Sequence, residues 1–307
     1  VDLRQLSLFQ QIAELRSMTR AASVLHVSQP LLSRQMQALE KELGVLLFIR
    51  SDKGVRLTPA GQALLERSRT VLQQVRQIQD DIGLYAREPT GELRLGLPPS
   101  LFDLVSVPLV DAYCRAFAKV RLHVQEGLSA ALHEGVLTGR LDTALVSDAE
   151  PLDMLISRPL LQEQLFLVGP ADAGLAAQVG VSARSIAERR MVMTSRPNAM
   201  RQIVDTALAQ AGRKLEPVLE TNSARLLLEL VVEGQGFTVL PYSAVALSHR
   251  RHRVTLAPIE GLSITWTLVT PRGRTLSLAG HKLREQLADV CRMQVATGDW
   301  PGARCVP

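Results

Sequence analysis

Between Gln62 and Ile82 the chain contains neither proline nor glycine, and this unbroken stretch separates two regions of unlike pattern. Thr58-Pro59 supplies a cap followed by proline at the first helical position, where a missing N–H costs little. Leu57, Leu64, Val71, Val75, Ile78, Ile82 and Tyr85 fall on one heptad seam, interrupted by polar Ser68. A stripe this narrow, sustained for about four heptads, suits a partner helix; the alternative is packing on the chain's own head. Glu88-Pro89-Thr90-Gly91 ends the helix and acts as a hinge. The expected organisation is a head over 1–58, a dimerising linker helix over 59–88, an α/β region over 89–296 and a tail over 297–307 of unassigned role.

The head reads as three helices and a hairpin. Leu3, Leu6, Phe9 and Ile12-Ala13 mark an amphipathic helix by their spacing. Ser17 offers a cap to a short second helix, whose Ala21 and Ala22 permit close approach. His26-Val27-Ser28 turns the chain, and Ser28 caps a third helix with Gln29 and Pro30 in its first turn. Leu32, Met36, Leu39 and Leu43 form its buried stripe, which leaves Gln29, Ser33, Arg34 and Gln37 facing outward. A cap, a tight turn and a second helix with a polar leading face make a helix-turn-helix. Gln29 can pair with adenine, Arg34 with guanine, and Pro30 can touch a thymine methyl. Leu46 to Arg50 and Val55 to Thr58 flank a glycine-containing turn, and Arg50, Lys53 and Arg56 cluster on this hairpin. Such a wing suits contact with the nucleic-acid backbone or minor groove. A helical bundle with a solvated polar face is the bland alternative.

Charge placement agrees. Residues 1–87 carry 12 Lys and Arg against 8 Asp and Glu, whereas residues 88–307 carry 23 against 22. The basic excess lies in the part that resembles a nucleic-acid reader. With 46% apolar and 21% charged residues among 307, the chain reads as soluble and globular. No apolar run approaches the roughly 18 residues that span a bilayer, and Val1 to Gln5 has no signal-peptide core, so a cytoplasmic location is expected. Cys114, Cys291 and Cys305 form neither a disulfide framework nor a zinc knuckle. Cys114 and Cys291 are expected to be buried and inert.

The run from Ala21 to Met36, then Leu39-Glu40, Leu43-Gly44-Val45-Leu46-Leu47-Phe48-Ile49-Arg50 and Leu57-Thr58-Pro59-Ala60-Gly61, resembles the LysR-type transcriptional regulators. Arg50 to Val55 and Leu165 to Gly169 also resemble the nitrogen-assimilation-control group within it. The resemblance implies base and backbone contacts from Ser28, Gln29, Pro30, Ser33, Arg34 and Arg50, with Thr19 at a phosphate. It also implies pairing of two heads through the linker helix, assembly to a tetramer, and contact with RNA polymerase.

From Glu92 onward strands alternate with helices, the mark of an α/β domain. Strands are predicted at 93–97, 120–126, 143–146, 165–168, 191–193, 237–240 and 264–269, with helices over 101–118 and 130–138. The resemblance continues through Gly139-Arg140-Leu141-Asp142 and the run Gly234 to Pro241. It implies two periplasmic-binding-protein-like lobes, the first over about 92–162 and 267–296 and the second over about 163–266. The chain as a whole is thus expected to be an α+β multidomain protein.

Ligands of such folds sit at the carboxyl ends of strands, near helix N-termini. Three loops qualify: Leu97 to Ser100, Gly127 to Ser129, and Thr194 to Asn198 leading to Arg201. Their polar residues are helix caps on the plainest reading; the resemblance makes them the effector cleft. The candidate effector contacts are Ser100, Leu101, Ser129, Pro197, Asn198, Arg201 and Phe237, with Arg196 or Arg201 able to grip a carboxylate. Pro98-Pro99 leaves few N–H groups in the first loop. A small organic effector is expected, with no resident cofactor or metal. Alternatives are a winged-helix regulator responding to an oxyanion or metal, and a small-molecule enzyme. Gly234-Gln235-Gly236 precedes a strand, so it is no dinucleotide loop. The chain has no GxSxG elbow and no nucleophile–base set, and His249 to Arg253 reads as a solvated loop.

Overall fold

The computed structural model describes residues 1–51, 54–83, 88–147, 152–176, 178–246 and 251–306, with the side chains of residues 50, 73, 76, 77, 79, 80, 81 and 83 outside the description. Lys53, Tyr85 and the Arg50 side chain, all singled out from sequence, therefore lie outside the described residues. The chain divides into two compact units, Val1–Tyr85 and Ala86–Pro307.

The first unit contains α1 (Leu3–Leu15), α2 (Met18–Val24), α3 (Gln29–Leu43), the hairpin β1 (Phe48–Ser51) and β2 (Gly54–Leu57), and α4 (Pro59–Gly83). Caps set the helix starts. Asp2 and Gln5 form a reciprocal capping box on α1. Ser17 Oγ accepts from the Arg20 N–H at 3.3 Å, and Ser28 Oγ from the Leu31 N–H at 3.4 Å. The turn between α2 and α3 is a paired C-cap. His26 N–H donates to the Ser23 carbonyl and Val27 N–H to that of Ala22, with His26 in the left-handed region at φ 52°.

Phe9, Ile12, Leu32, Met36 and Leu39 are completely buried between the three helices. Phe9 meets Phe48 at 5.1 Å between ring centroids, so the hairpin closes the same core. Glu40 Oε1 accepts the N–H groups of Leu47 and Phe48 at 2.8 and 3.2 Å, which ties α3 to the root of the wing. Two glycines permit close passage. A Cβ on Gly54 would lie 2.7 Å from the Arg16 carbonyl oxygen, and one on Gly61 2.1 Å from that of Leu47. Thr58 Oγ1 caps α4 by accepting from the Gly61 N–H at 2.9 Å.

The heptad seam of α4 divides into two parts. Ser68 on the seam and Leu65 beside it are buried, and α4 packs against α1. Ser68 therefore belongs to the head's interior, where its hydroxyl donates to the Leu65 carbonyl at 3.0 Å. Further along, Val71, Ile78 and Ile82 are exposed, the last at 67%.

The second unit opens with β3 (Gly91–Leu97), a 3-10 turn at Pro99–Leu101, a π turn at Phe102–Ser106 and α5 (Val107–Ala116). The single helix predicted over 101–118 is thus split. Pro108 lacks the N–H that would continue an α-helix across Leu104, and the turn widens there. β4 (Val120–Glu126), α6 (Ser129–Leu137) and β5 (Thr143–Ser147) follow. β3 pairs in parallel with both β4 and β5.

β6 (Leu155–Pro170) then leads through a short helix α7 (Ala183–Ile186), β7 (Val192–Met193), α8 (Ala199–Gln210), β8 (Leu219–Glu220), α9 (Ala224–Val232) and β9 (Thr238–Pro241) to β10 (Val254–Pro271), α10 (Leu278–Ala296) and β11 (Ala303–Cys305). β6 and β10, of 16 and 18 residues, run antiparallel through the unit. Gln162 pairs with Thr265 and Gln164 with Ser263, and the register shifts between Pro258 and Ser263. On one side of that shift β10 pairs with β5, and on the other β6 pairs with β9. Two lobes are thus strung on one pair of strands.

The segment predicted as a tail is built in. β11 pairs with β6, and Trp300 is 2% exposed. Its indole Nε1 donates to Glu163 Oε1 at 2.7 Å. Glu163, completely buried on β6, also accepts from Trp266 Nε1 at 2.7 Å and from the backbone N–H and hydroxyl of Ser243 at 2.7 and 2.9 Å. Burial pushes this carboxyl above its ordinary range, while the Trp300, Ser243 and Trp266 donors oppose the shift.

Trp300→Phe keeps most of the ring volume and removes one donor. It should cost about 1–3 kcal/mol. Losing a donor penalises the ionised form, so the folded-state pKa of Glu163 rises further above its unfolded value. Stability is then lost as pH rises through that folded pKa. Urea unfolding of both proteins should show a gap that is larger at neutral than at acid pH; a pH-independent gap would count against the cage.

Candidate functional site

In the first unit, the burial of Leu32, Met36 and Leu39 turns the other side of α3 outward. Thr19, Ser28, Gln29, Pro30, Arg34 and Arg56 are exposed, and Ser33 is half-buried and already partnered. Arg20 is held back, since its guanidinium donates to the Leu15 carbonyl at 2.8 Å. The N-terminus of α3 thus presents an amide, a pyrrolidine ring and a guanidinium with no partner among the described residues.

In the second unit, a cleft of about 950 Å³ opens between the lobes. Ser100, Ser129, Pro197 and Asn198 line it, as the strand-to-helix junctions led one to expect. Asn198 caps α8 by accepting from the Met200 N–H at 3.0 Å. Ser129 Oγ accepts from the Ser147 N–H at 3.0 Å and lies 2.9 Å from the Ser147 hydroxyl, so the two serines form one polar group on the cleft wall.

Three residues assigned to the effector from sequence do not line it. Leu101 is completely buried in the core. Phe237 packs on Gly169, with the Arg189 guanidinium 4.7 Å above its ring. Arg201 is 3% exposed; its Nε donates to Asp205 at 3.0 Å, and its Nη1 reaches the Thr194 carbonyl and Glu220. Arg196, the other guanidinium offered for a carboxylate, is also committed to Asp205, at 2.7 Å. Cys114 is likewise exposed where burial was expected, whereas Cys291 is buried and its thiol pushed up to about 12 by burial.

Thr194, which opens the third predicted loop, also lines the cleft, as do residues that pattern reading passed over: Asp103, Glu126, Asn222, Ser223, Arg225 and Trp266. Ser223 caps α9 by accepting from the Leu226 N–H at 3.2 Å. Thr221-Asn222-Ser223 before an apolar run is a helix-start signal of the kind used for the other three loops. Nothing in spacing marks Asp103, Glu126 or Trp266. Among the described residues no group of three or more His, Cys, Asp or Glu could hold a metal ion, and no helix is long and apolar enough to cross a membrane.

Arg201 therefore braces Thr194 and α8. Arg201→Leu strands Glu220 and leaves Asp205 to Arg196 alone, and should cost about 3 kcal/mol, the low end for a broken buried pair because Glu220 reaches solvent. Thermal unfolding without any ligand should show the loss. An unchanged melting temperature would return Arg201 to the list of pure ligand contacts.

The chain matches the model of the bacterial regulatory helix-turn-helix protein, lysR family, over residues 3–62, and that of the LysR substrate binding domain over residues 86–292. It is 32% identical to the HTH-type transcriptional regulator BbuR of Bordetella bronchiseptica, over 98% of this chain and 94% of that protein. It is 33% identical to the nitrogen assimilation regulatory protein nac of Klebsiella aerogenes, over 80% of this chain and 79% of that one. Full-length OxyR from Pseudomonas aeruginosa superposes with a TM-score of 0.75 at 25% identity, over 95% of each chain. A helix-turn-helix with its reading face exposed, followed by two lobes around a cleft, together with these matches along nearly the whole length, makes the chain a member of the LysR family of DNA-binding transcription regulators with an effector-binding domain.

Proposed function

We propose that α3 reads promoter bases through Gln29, Pro30 and Arg34, that Thr19, Ser28, Ser33 and the wing with Arg50, Lys53 and Arg56 hold the DNA backbone, and that a small organic effector bearing a carboxylate binds between the lobes. The observation that carries the second half is the convergence of Ser100, Ser129 and Asn198, from three separate loops, on one cleft. Three helices start at this cleft, α6, α8 and α9, and their N-terminal dipoles favour an anionic group. An effector alters DNA affinity only by favouring one arrangement of the lobes over another. A difference on the order of 1–3 kcal/mol suffices.

The exposed Val71, Ile78 and Ile82 of α4 support pairing of two copies along the helix. Such a dimer offers two heads to a two-part DNA site, and further contacts extend it to a tetramer. In this reading the protein works in the cytoplasm, at promoters, beside RNA polymerase.

Arg34→Ala should weaken binding to the specific operator by about 1–3 kcal/mol and binding to unrelated DNA far less. Gel-shift titration of both DNAs checks this, and an equal fall on the two would make Arg34 a phosphate contact. Ile78→Asp combined with Ile82→Asp places charge on a stripe that the isolated head leaves open to solvent. The head should stay folded while the oligomer dissociates, as read by sedimentation velocity beside circular dichroism. An unchanged oligomer would assign assembly to other surfaces.

A further inference from the structure

The charges on the cleft are distributed by lobe. The first lobe contributes Asp103, after the 3-10 turn that follows β3, and Glu126, the last residue of β4. Neither carboxylate has an ion-pair or hydrogen-bond partner among the described residues. The second lobe contributes Arg225, in the first turn of α9, together with the capped N-termini of α8 and α9. Glu229, one turn beyond Arg225, also lines the cleft and is already partnered.

One further group lacks its complement. Thr194 follows β7 in the second lobe and lines the cleft, and it is 2% exposed. Its backbone carbonyl accepts from Arg201 at 3.1 Å, but its hydroxyl has no hydrogen-bond partner. A hydroxyl withheld from water and left unbonded is costly. Thr238, the first residue of β9, is buried and unbonded too, yet it is not among the residues that line the cleft. Thr194 is thus placed to donate to an oxygen on a molecule that enters from the cleft.

We infer that the effector is a zwitterion of the amino-acid class, its carboxylate held on the second lobe by the Thr194 hydroxyl, the N-terminus of α8 and Arg225, and its ammonium held on the first lobe by Asp103 and Glu126. A carboxylic acid without an amine would leave two acidic groups facing it across the cleft with no cation between them. A zwitterion satisfies both walls and draws them together, because each lobe binds the opposite end of one molecule. The inference rests on the reading of this cleft as the effector site and refines the chemistry of what fills it.

The test is calorimetric titration of the full-length protein with the standard L-amino acids, and of each one that binds with two relatives: the 2-hydroxy acid, which lacks the ammonium, and the carboxamide, which lacks the carboxylate. The amino acid should bind at least about tenfold more tightly than either relative, since a site built for a polar group rejects the analogue that lacks it. Asp103→Asn with Glu126→Gln should abolish the preference over the 2-hydroxy acid. Thr194→Val should abolish the preference over the carboxamide while leaving the ligand-free melting temperature unchanged or higher, because it removes an unbonded buried hydroxyl. A 2-hydroxy acid that binds as tightly as its amino acid, or the absence of binding by any amino acid, overturns the inference. If an amino acid binds with its affinity untouched by both sets of cleft substitutions, the placement of the effector site has failed instead.

Discussion

The second unit depends on a carboxylate that no solvent reaches. Glu163 sits where β6 passes from one lobe to the other, and its four hydrogen bonds draw on the loop after β9, on β10 and on the segment before β11. An ionised group buried without such donors would be prohibitive. With them it works as a directional clamp that accepts only one register of β6 against β10. The two long strands in turn fix where each lobe begins, and the lobes fix the cleft. Trp266 joins these levels, because the same side chain donates to Glu163 and lines the cleft.

The head and α4 show a complementary economy. One face of the helix is spent on Leu65 and Ser68 inside the head, and the remaining turns present Val71, Ile78 and Ile82 outward. A single helix therefore carries two tasks in succession, closing a small core and then offering a surface to a second copy. The polar Ser68 is tolerated at the junction because its hydroxyl satisfies itself on the Leu65 carbonyl within the same helix.

Local chemistry made much of this legible in advance. Ser17, Ser28, Thr58, Asn198 and Ser223 all cap helices, and capping is a property of neighbours in sequence. Strand periodicity located nearly every β-element, and three of the four cleft loops followed from strand-to-helix junctions. The failures share one cause, which is contact between residues remote in sequence. Arg201 resembles a ligand-gripping residue until Asp205 and Glu220 are seen around it, and Glu220 lies 19 residues away. Trp300 resembles the start of a loose end until Glu163 is found 137 residues earlier. Leu101 and Phe237 sit in motifs that border the cleft, yet packing turns both toward the core. The break in the helix over 101–118 was written locally in Pro108, but a proline at that place also fits the second position of a helix, and only the packed structure chooses between the two.

The distance between Glu163 and Trp300 also sets an order of events during synthesis. The head and α4 form one compact unit within residues 1–85, so this unit can fold as soon as that length has left the ribosome. The second unit cannot complete the cage around its buried carboxylate until residue 300 has emerged, long after both lobes have been made. A chain that stops short of this tryptophan would therefore release a DNA-reading head joined to a sensor unable to settle. Such a product would occupy promoters without answering to any metabolite.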